Sequence, residues 1–434
     1  MNNTARVILW GSDIGAVTWV PDRRVGVFQY TPEFANSGIE VAPEMMPLTD
    51  MPYEFPSLSR ETFKGLPGML ADSLPDKFGT KLIEAWLASQ GRKPSSFTPI
   101  EQLCYTGIRG MGALEFHPPI TDAQKSSTVE INDLVALSNR VLDDQIALED
   151  KLSGVKDKQA IKDLMRVSTS AGGARAKAVI SWNPNTGEFR SGQTSDSQGF
   201  SPWLVKFDGV SGNKDHELAD PLGFGRIEYA YYLMACDAGI KMQKCRLHEE
   251  GGRAHFMTRR FDRTPNGDKV HMQSLGALMH YDFNNTGAYG YEQVIRTIKR
   301  LDLSVDDVEQ QVLRTFFNVL ARNQDDHVKN IAFLMDRKGV WYLSPAFDIV
   351  YFYNPSGEWT DQHQMSLGGK RHGFELEDLL AIAGVGGLKK ARAKLLLGKV
   401  STAVSNWRYF ATQAGMSLVD VNRIEKAHRR QLFV

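Results

Sequence analysis

The chain has 434 residues, of which 42% are hydrophobic and 24% charged, so it belongs to the globular class and is long enough for two or three domains. Lys plus Arg and Asp plus Glu each total 51, so no net charge draws the whole protein to nucleic acid or to an anionic membrane. The three cysteines lack metal-ligand spacing, the N-terminus lacks a secretory pattern, and no run reaches about 18 apolar residues, which together predict a cytoplasmic protein without a membrane span.

The first part of the chain predicts a small antiparallel sheet followed by helices. Three short apolar runs, RVILW, GAVTWV and VGVFQY, are separated by Gly, Pro and Asp residues that are typical of turns. A helix is expected from about Asp76 until Gly91, which stops it. A second, more polar helix is expected over STVEINDLVALSNRVLDDQIALEDKL.

The middle of the chain predicts a second sheet. LMRVSTSAGGARAKAVISW and PWLVKFDG indicate a strand, a glycine-rich loop, a strand, a turn and a strand. A helix over about Arg226 to Ala238, closed by Gly239, and a strand in HFMTRRFDR follow. After Arg263 the chain is mostly helical, in YEQVIRTIKRL, VEQQVLRTFFNVLARN, ELEDLLAIAG, LKKARAKLLLGKVSTAVSNW and VDVNRIEKAHRRQL. A sheet-rich first half therefore precedes a helix-rich second half.

An acidic cluster, RNQDDHVKNIAF at residues 322–333, follows one of these helices. The helix is expected to bury one face, because apolar residues recur every four positions at Val308, Val312, Phe316 and Leu320. A helix C-terminus repels negative charge, so stability alone does not explain Asp325 and Asp326 just beyond it. A solvated polar loop is the ordinary alternative.

The residues after the cluster predict a hairpin that brings a third carboxylate to it. IAFLMD and VWYLS are joined by the turn RKG, so Asp348 in SPAFDIV is expected near Asn330. Asn and Asp oxygens suit Mg²⁺, which completes its shell with water and substrate phosphates. The arrangement is that of protein kinases, where a catalytic Asp precedes a metal-binding Asn by five positions. That spacing selects Asp325 as the base and leaves His327 an orienting or packing role.

The glycine-rich loop SAGGARAK lacks the GxxxxGK[ST] pattern of a Walker loop and runs into a strand. A structural Gly-Gly turn is the alternative to a phosphate-binding loop. Lys206, on the next apolar strand, would be costly to bury unpaired and is expected to meet a phosphate, with Lys177 as a competitor for this role. Glu228 is the expected ion-pair partner of the lysine. The backbone from Arg259 to Phe261 could face an adenine edge, although a plain strand with surface arginines explains it equally well.

With the glycine loop, Lys206, NQDDHVKN and AFDIV in this order, the chain resembles the HipA family of bacterial toxin kinases over nearly its whole length. The opening strands with FKGLPGMLADSLP and YTGIRGMGALEFHP resemble the N-terminal subdomain of that family. The resemblance implies an α+β, two-lobed protein-kinase-like fold. The implied divisions are a sheet-rich N-terminal lobe at 1–262, composed of subdomain 1–118 and nucleotide-binding part 119–262, and a mainly helical C-terminal lobe at 263–434.

The resemblance also implies roles for single residues. Asp325 matches the catalytic aspartate, Asn330 and Asp348 match the Mg²⁺ ligands, and Lys206 matches the ATP-binding lysine. Ser170 matches a loop serine whose autophosphorylation silences the kinase, with Ser168 and Thr169 as neighbouring alternatives. The expected ATP-binding set is completed by Ala171, Gly172, Gly173, Ala174, Arg175, Lys177, Arg259 and Phe261.

Two positions depart from the family pattern. The usual loop resembles AGAQxK, whereas this one reads AGGARAK, and Arg175 adds a positive charge near the phosphates. Arg259 stands where the family has an acidic residue, which argues against a side-chain contact with adenine.

Three functions follow from this sequence. The first is a Mg²⁺-ATP-dependent Ser/Thr protein kinase, the toxin partner of a HipB-like DNA-binding antitoxin, whose substrate by family resemblance is an aminoacyl-tRNA synthetase. The second is a weakly active or inactive co-repressor that contacts DNA only indirectly or through the basic helix LKKARAKLLLGK, although such residues are usually a solvated helix face. The third, a metal-dependent phosphohydrolase, is disfavoured because it leaves Lys206 and the glycine loop unexplained.

Overall fold

The computed structural model describes residues 3–120, 128–142, 175–191, 199–210 and 222–432. The predicted loop residues Ser168, Thr169, Ser170, Ala171, Gly172, Gly173 and Ala174 lie outside them. No helix in these ranges is both long and apolar enough to span a membrane.

The N-terminal sheet is antiparallel and has the order β3-β2-β1-β4. Its strands are β1 (Thr4–Leu9), β2 (Ser12–Val20), β3 (Val25–Tyr30) and β4 (Leu114–His117). The helices of this part are α1 (Pro32–Ala35), α2 (Arg60–Phe63), α3 (Gly68–Ala71), α4 (Lys77–Ser89) and α5 (Pro99–Thr106), with a 3₁₀ turn at Pro94–Ser96. The three predicted strands and the predicted helix after Asp76 are confirmed; the Asp76 side chain caps that helix by accepting a hydrogen bond from the Gly79 N–H.

The second sheet is also antiparallel and has the order β6-β5-β7-β9-β8. Helix α6 (Ile131–Leu142) precedes it, and its strands are β5 (Lys177–Trp182), β6 (Phe189–Ser191), β7 (Ser201–Lys206), β8 (Cys245–Glu250) and β9 (Arg253–Arg259). Apolar residues of the sheet, of α4 and of α6 form one buried cluster.

Helix α7 (Phe224–Asp237) connects β7 to β8 and packs directly on the second sheet. A Cβ atom added to Gly225 would lie 2.0 Å from the carbonyl oxygen of Ala254, so only glycine permits the observed approach of α7 to β9. This close packing fixes the position of Glu228, one turn further along the helix.

The C-terminal part is mainly helical, as predicted. It contains β10 (His271–Ser274), α8 (Leu275–Met279), α9 (Tyr291–Arg300), α10 (Val305–Ala321), β11 (Ala332–Met335), β12 (Trp341–Leu343), α11 (Leu376–Val385), α12 (Lys390–Ser405), α13 (Trp407–Gln413) and α14 (Leu418–Ala427), with 3₁₀ turns at Val328–Asn330 and Arg430–Leu432. The predicted hairpin is present as the antiparallel pair β11 and β12, and β10 pairs with β11 on its other side. The α+β fold, sheet-rich first and helical second, is therefore confirmed.

Candidate active site

The acidic cluster begins where α10 ends. Ser304 caps the start of this helix, and Arg322 closes it in the left-handed conformation with φ of 59°. The backbone then continues without regular structure to the 3₁₀ turn at Val328–Asn330, and a parallel bridge joins Asn323 to Phe352. The chain therefore leaves the direction of the helix before it reaches the two carboxylates.

Asp326 is a structural carboxylate. Its side chain is 1% exposed and accepts hydrogen bonds from the Tyr291 hydroxyl, from Nδ1 of His363 at 2.7 Å and from the Gln364 N–H at 2.8 Å. Burial opposes ionisation, but the interaction with His363 and these hydrogen bonds outweigh it and lower the pKa of Asp326. These hydrogen bonds use the Asp326 carboxylate to hold the segment around residue 363 against the acidic cluster.

Asp325 differs from its neighbour because its side chain is 19% exposed. Its Oδ1 atom accepts a hydrogen bond of 2.8 Å from the indole N–H of Trp359, and its backbone carbonyl accepts one of 2.8 Å from Nδ2 of Asn330. Nε2 of His327 lies 3.8 Å from Oδ1, while the ring of His327 packs near Phe283. The predicted orienting and packing role of His327 agrees with these contacts.

The hairpin brings Asp348 to Asn330, as its geometry predicted. Both residues line a small cavity of about 20 Å³, together with Asp326, His327 and the end of α10. Asp348 has φ of 52°, a left-handed conformation that is uncommon for a residue with a side chain and is found in turns and functional sites.

Lys206 joins the sheet to this cluster. Its ammonium group donates to Oε1 of Glu228 at 2.5 Å and to Oδ1 of Asp348. The side chains of Lys206 and Glu228 are 8% and 2% exposed, and that of Asp348 is 29% exposed. The expected pairing of Lys206 with Glu228 is confirmed, and Asp348 is a second partner.

The charges of Lys206, Glu228 and Asp348 shift one another's pKa values. Burial favours neutral Lys206, but the carboxylates of Asp348 and Glu228 outweigh it and raise the pKa of the lysine. Burial likewise opposes ionisation of Asp348, yet the ammonium groups of Lys206 and Lys177 lower its pKa to about 2. Burial, together with the charge of Asp348, raises the pKa of Glu228 despite its lysine partner. Asp348 is therefore an anion at neutral pH.

Two further cations adjoin Lys206. The Arg175 guanidinium lies 3.7 Å from Oε2 of Glu228 and 3.7 Å from the ring centroid of Phe224, at the start of α7. Lys177 is the register partner of Lys206, and its ammonium lies 3.6 Å from Oδ2 of Asp76. Burial raises the pKa of Asp76 to about 6 against the opposing charge of Lys177. Lys177 therefore links the N-terminal subdomain to this site, while Lys206 holds the position beside Asp348.

The two predicted adenine-edge residues lie in different surroundings. The Phe261 ring is 5.5 Å from that of Phe347, next to Asp348. Arg259 is opposite Trp203 in the sheet, three positions from the Lys206 pair. It lines an open cavity of about 790 Å³ with residues of β8, α7 and the segment 412–415 at the end of α13. The N–H groups of Arg259 and Arg260 donate to the carbonyls of Lys244 and Pro202, so these donors are used within the protein.

The structure adds residues that the sequence did not point to. Trp359 contacts Asp325, the His363 and Tyr291 pair holds Asp326, and Asp76 meets Lys177 from a different part of the chain. Trp359 lies in a Gly- and Pro-containing stretch without a motif, and Asp76 is recognisable in the sequence only as a helix cap. No local spacing could have connected them to the site.

The donor set fits one magnesium ion bound to a phosphate ligand. Among the described residues, no group of three or more His, Cys, Asp or Glu side chains is arranged to hold a metal by itself. Asp348 and Asn330 offer two oxygens in one cavity, and Mg²⁺ takes one or two protein oxygens and completes its octahedron with water and phosphate oxygens. The ionised state of Asp348 suits this role.

Family models match both parts of the chain. A model described as the HipA N-terminal domain matches residues 5–117, and one described as the HipA-like C-terminal domain matches residues 169–407, more than half of the sequence. No functionally curated protein matches the sequence significantly.

Solved structures provide a fold comparison. A HipA chain from a Shewanella oneidensis MR-1 complex of HipA, HipB and operator DNA is similar, with a TM-score of 0.66 and 16% identity, over 99% of this chain and 95% of that chain. A Helicobacter pylori proinflammatory kinase, CtkA, aligns with a TM-score of 0.33 and 12% identity, over 54% of this chain and 89% of that chain. At these identities the first match supports the fold, and the second is too weak to support an argument.

Proposed function

Since this chain belongs to the HipA family, we propose that it is a cytoplasmic Mg²⁺-ATP-dependent serine/threonine protein kinase. The observation that carries the proposal is the position of Lys206, which contacts Glu228 and Asp348 while Asp348 shares a cavity with Asn330. Kinases use this combination of a strand lysine, a helix glutamate and two metal-binding side chains. A structural role alone does not account for three charged side chains in contact, one of which, Asp348, is a partly exposed carboxylate.

Each residue has a defined task in this proposal. Lys206, held by Glu228, binds the phosphates of the nucleotide, and Asp348 and Asn330 hold the magnesium ion, which neutralises phosphate charge when it is bound. Asp325 accepts the proton of the acceptor hydroxyl as the oxygen attacks the terminal phosphate and ADP leaves. Asn330 also fixes the backbone of Asp325 through its hydrogen bond to that carbonyl.

The sheet hydrogen bonds limit which backbone groups are available to bind the adenine edge. Because the N–H groups of Arg259 and Arg260 are used within the protein, the edge is proposed to lie at Phe261. Arg175 is proposed to contribute positive charge toward the phosphates from its place between Phe224 and Glu228. Ser170 and the glycine-rich loop complete the nucleotide site on the basis of the sequence, with Ser170 as the autophosphorylation site.

The physiological role follows from the family. The matched Shewanella protein is in a complex with HipB and operator DNA, and this chain is proposed to pair with a HipB-like antitoxin and to act as a toxin. An aminoacyl-tRNA synthetase is the proposed substrate by family resemblance. Any contact of this chain with DNA is proposed to be indirect or auxiliary. On α12, Arg392 forms two hydrogen bonds of 2.6 Å with Glu309, so part of the basic helix face is neutralised within the protein.

The test is transfer of labelled phosphate from γ-labelled ATP to proteins of a bacterial lysate by the full chain, with and without Mg²⁺. Label should appear on specific lysate proteins only with Mg²⁺ and should be lost in Lys206→Met. Release of labelled inorganic phosphate without protein labelling would favour a phosphohydrolase. Neither transfer nor release, with retained binding to an antitoxin, would favour the co-repressor and overturn the kinase proposal.

A further inference from the structure

The side chain of Trp359 makes an unusual contact with the candidate base. Its indole N–H donates to Oδ1 of Asp325 at 2.8 Å, and both side chains are partly buried. In comparison, the indoles of Trp10, Trp341 and Trp407 donate to backbone carbonyl oxygens. A hydrogen bond to an ionised carboxylate is about twice as strong as one between neutral groups, so this contact is able to hold the orientation of the carboxylate.

The backbone on either side of Trp359 is attached to the segment that carries Asp325. The Phe352 N–H donates to the Arg322 carbonyl at 3.1 Å, and its own carbonyl accepts from the Gln324 N–H at 3.1 Å. Beyond the tryptophan, the Gln324 side chain donates to the Thr360 carbonyl at 2.9 Å. Residues 352–364, here called the tryptophan segment, are thus joined to residues 322–326 on both sides of the indole.

Side chains reinforce this attachment. His363 and the Gln364 N–H both donate to Asp326, and Thr360, His363 and Gln364 are each no more than 4% exposed. Asp325 and Asp326 therefore have complementary roles. Asp326 anchors the tryptophan segment, and the anchored segment presents the Trp359 indole to Asp325.

We propose that Trp359 is a positioning residue that sets the orientation of the Asp325 carboxylate and thereby makes the base depend on the docked tryptophan segment. The inference rests on the proposed kinase function. A carboxylate rotates freely about its last side-chain bond, so fixing Oδ1 on the indole directs Oδ2 to one position, where it accepts the proton of the acceptor hydroxyl. Small misplacements of reacting groups cost about a hundredfold in rate, which gives this hydrogen bond its importance.

A blocking role for Trp359 would predict the opposite behaviour. If the indole obstructed the acceptor hydroxyl, it would have to withdraw before each reaction and break its hydrogen bond to Asp325. Removal of the indole would then increase the rate of transfer. A positioning role predicts a decrease.

The kinetic experiment replaces the indole by a ring without an N–H group. In Trp359→Phe, kcat for phosphoryl transfer should fall between about tenfold and a hundredfold, while KM for ATP stays within about twofold, because the nucleotide contacts are unchanged. Trp359→His should restore part of kcat, since imidazole can donate an N–H. Trp341→Phe is the matched control: it loses an indole hydrogen bond of 3.0 Å to the Glu40 carbonyl and should leave both constants unchanged. An unchanged or increased kcat in Trp359→Phe would overturn the proposal.

A second measurement does not depend on activity. In the NMR spectrum of the ¹⁵N-labelled full chain, the Trp359 indole signal is identified as the one that Trp359→Phe removes. In Asp325→Ala this signal should move upfield and exchange faster with solvent, while the Trp341 signal stays in place. An unmoved Trp359 signal would show that the contact is absent and overturn the inference. A contact that is present in a wild-type protein without transfer activity would overturn the kinase proposal, and the positioning role of Trp359 in catalysis with it, while the contact itself would stand.

Discussion

Replacing Lys206 by Met tests the charge arrangement without relying on activity. Lys206 contacts Glu228 and Asp348, and its removal leaves two neighbouring carboxylates without their shared cation. Breaking a buried ion pair from one side costs about 3 to 5 kcal/mol of folding free energy. Asp348 is partly exposed, and the Arg175 guanidinium remains 3.7 Å from Glu228, so we expect the low end of this range, about 3 kcal/mol.

The loss of folding free energy in Lys206→Met should depend on pH in a defined direction. Burial and the charge of Asp348 raise the pKa of Glu228 in the folded protein above its unfolded value. A raised folded pKa contributes stability that is fully present below the unfolded pKa and is lost as the pH rises through the folded pKa. Without Lys206 the folded pKa of Glu228 rises further, because the positive charge that favoured ionised Glu228 is gone. The deficit of Lys206→Met relative to wild type should therefore be smaller near pH 5 than near pH 8.

Urea unfolding of the full chain, followed by tryptophan fluorescence, measures this deficit at both pH values. The double variant Lys206→Met, Glu228→Gln is the matched control, because it removes one of the two like charges and should recover part of the lost stability. A Lys206→Met protein as stable as wild type at about pH 8 would refute the reasoning, as would a double variant less stable than the single one.

Three further predictions concern helix packing, the two carboxylates and the metal ligand. Gly225→Ala should lose roughly 2 kcal/mol of stability, because the new Cβ meets the Ala254 carbonyl oxygen at 2.0 Å. Gly384→Ala should gain about 0.5 to 1 kcal/mol, because a Cβ at this position in α11 meets nothing outside its own stretch of helix within 4 Å. Thermal unfolding of both compares them, and equal effects would contradict the packing of α7. Asp326→Asn should lose about 2 kcal/mol of folding free energy, because an amide with a donor group replaces a carboxylate that accepts three hydrogen bonds. Asp325→Asn should stay within about 0.5 kcal/mol of wild type in urea unfolding. The reverse order of the two losses would exchange their roles. Saturation with Mg²⁺-ATP at about 100 times Kd should stabilise wild type by about 2.7 kcal/mol in the same assay, and Asp348→Asn should lose most of this gain; equal stabilisation of both would exclude Asp348 as a ligand.

The parts of the site that lie close in sequence could be predicted from it. The four-residue apolar repeat fixes α10, and the two apolar runs with a charged glycine turn fix the β11 and β12 hairpin, which is why Asp348 was expected beside Asn330. The cost of burying an unpaired lysine predicted a partner for Lys206, expected to be a phosphate, and the expected ion-pair partner Glu228 on the following helix is in contact with it. These inferences needed only periodicity, turn chemistry and charge.

Other parts could not be predicted because they depend on contacts between distant segments. Strand β8, CRLHEE in sequence, has few apolar residues and is a strand because β9 pairs with it at the edge of the sheet. Asp76 meets Lys177 across about a hundred residues, and the approach depends on how the N-terminal subdomain packs. Trp359 reaches Asp325 only because Asp326 and Gln324 hold its segment in place.

The most direct test of the central claim is an autophosphorylation assay with the dephosphorylated full chain. Wild type and Asp325→Ala are incubated with Mg²⁺ and γ-labelled ATP, and the phosphate is mapped by mass spectrometry. We expect label on Ser170 or on the adjacent Ser168 or Thr169 in wild type, and none in an Asp325→Ala protein that remains folded. Equal labelling of the two proteins would contradict the assignment of Asp325 as the catalytic base, and the absence of label from wild type, together with no transfer to any other protein, would contradict the kinase function itself.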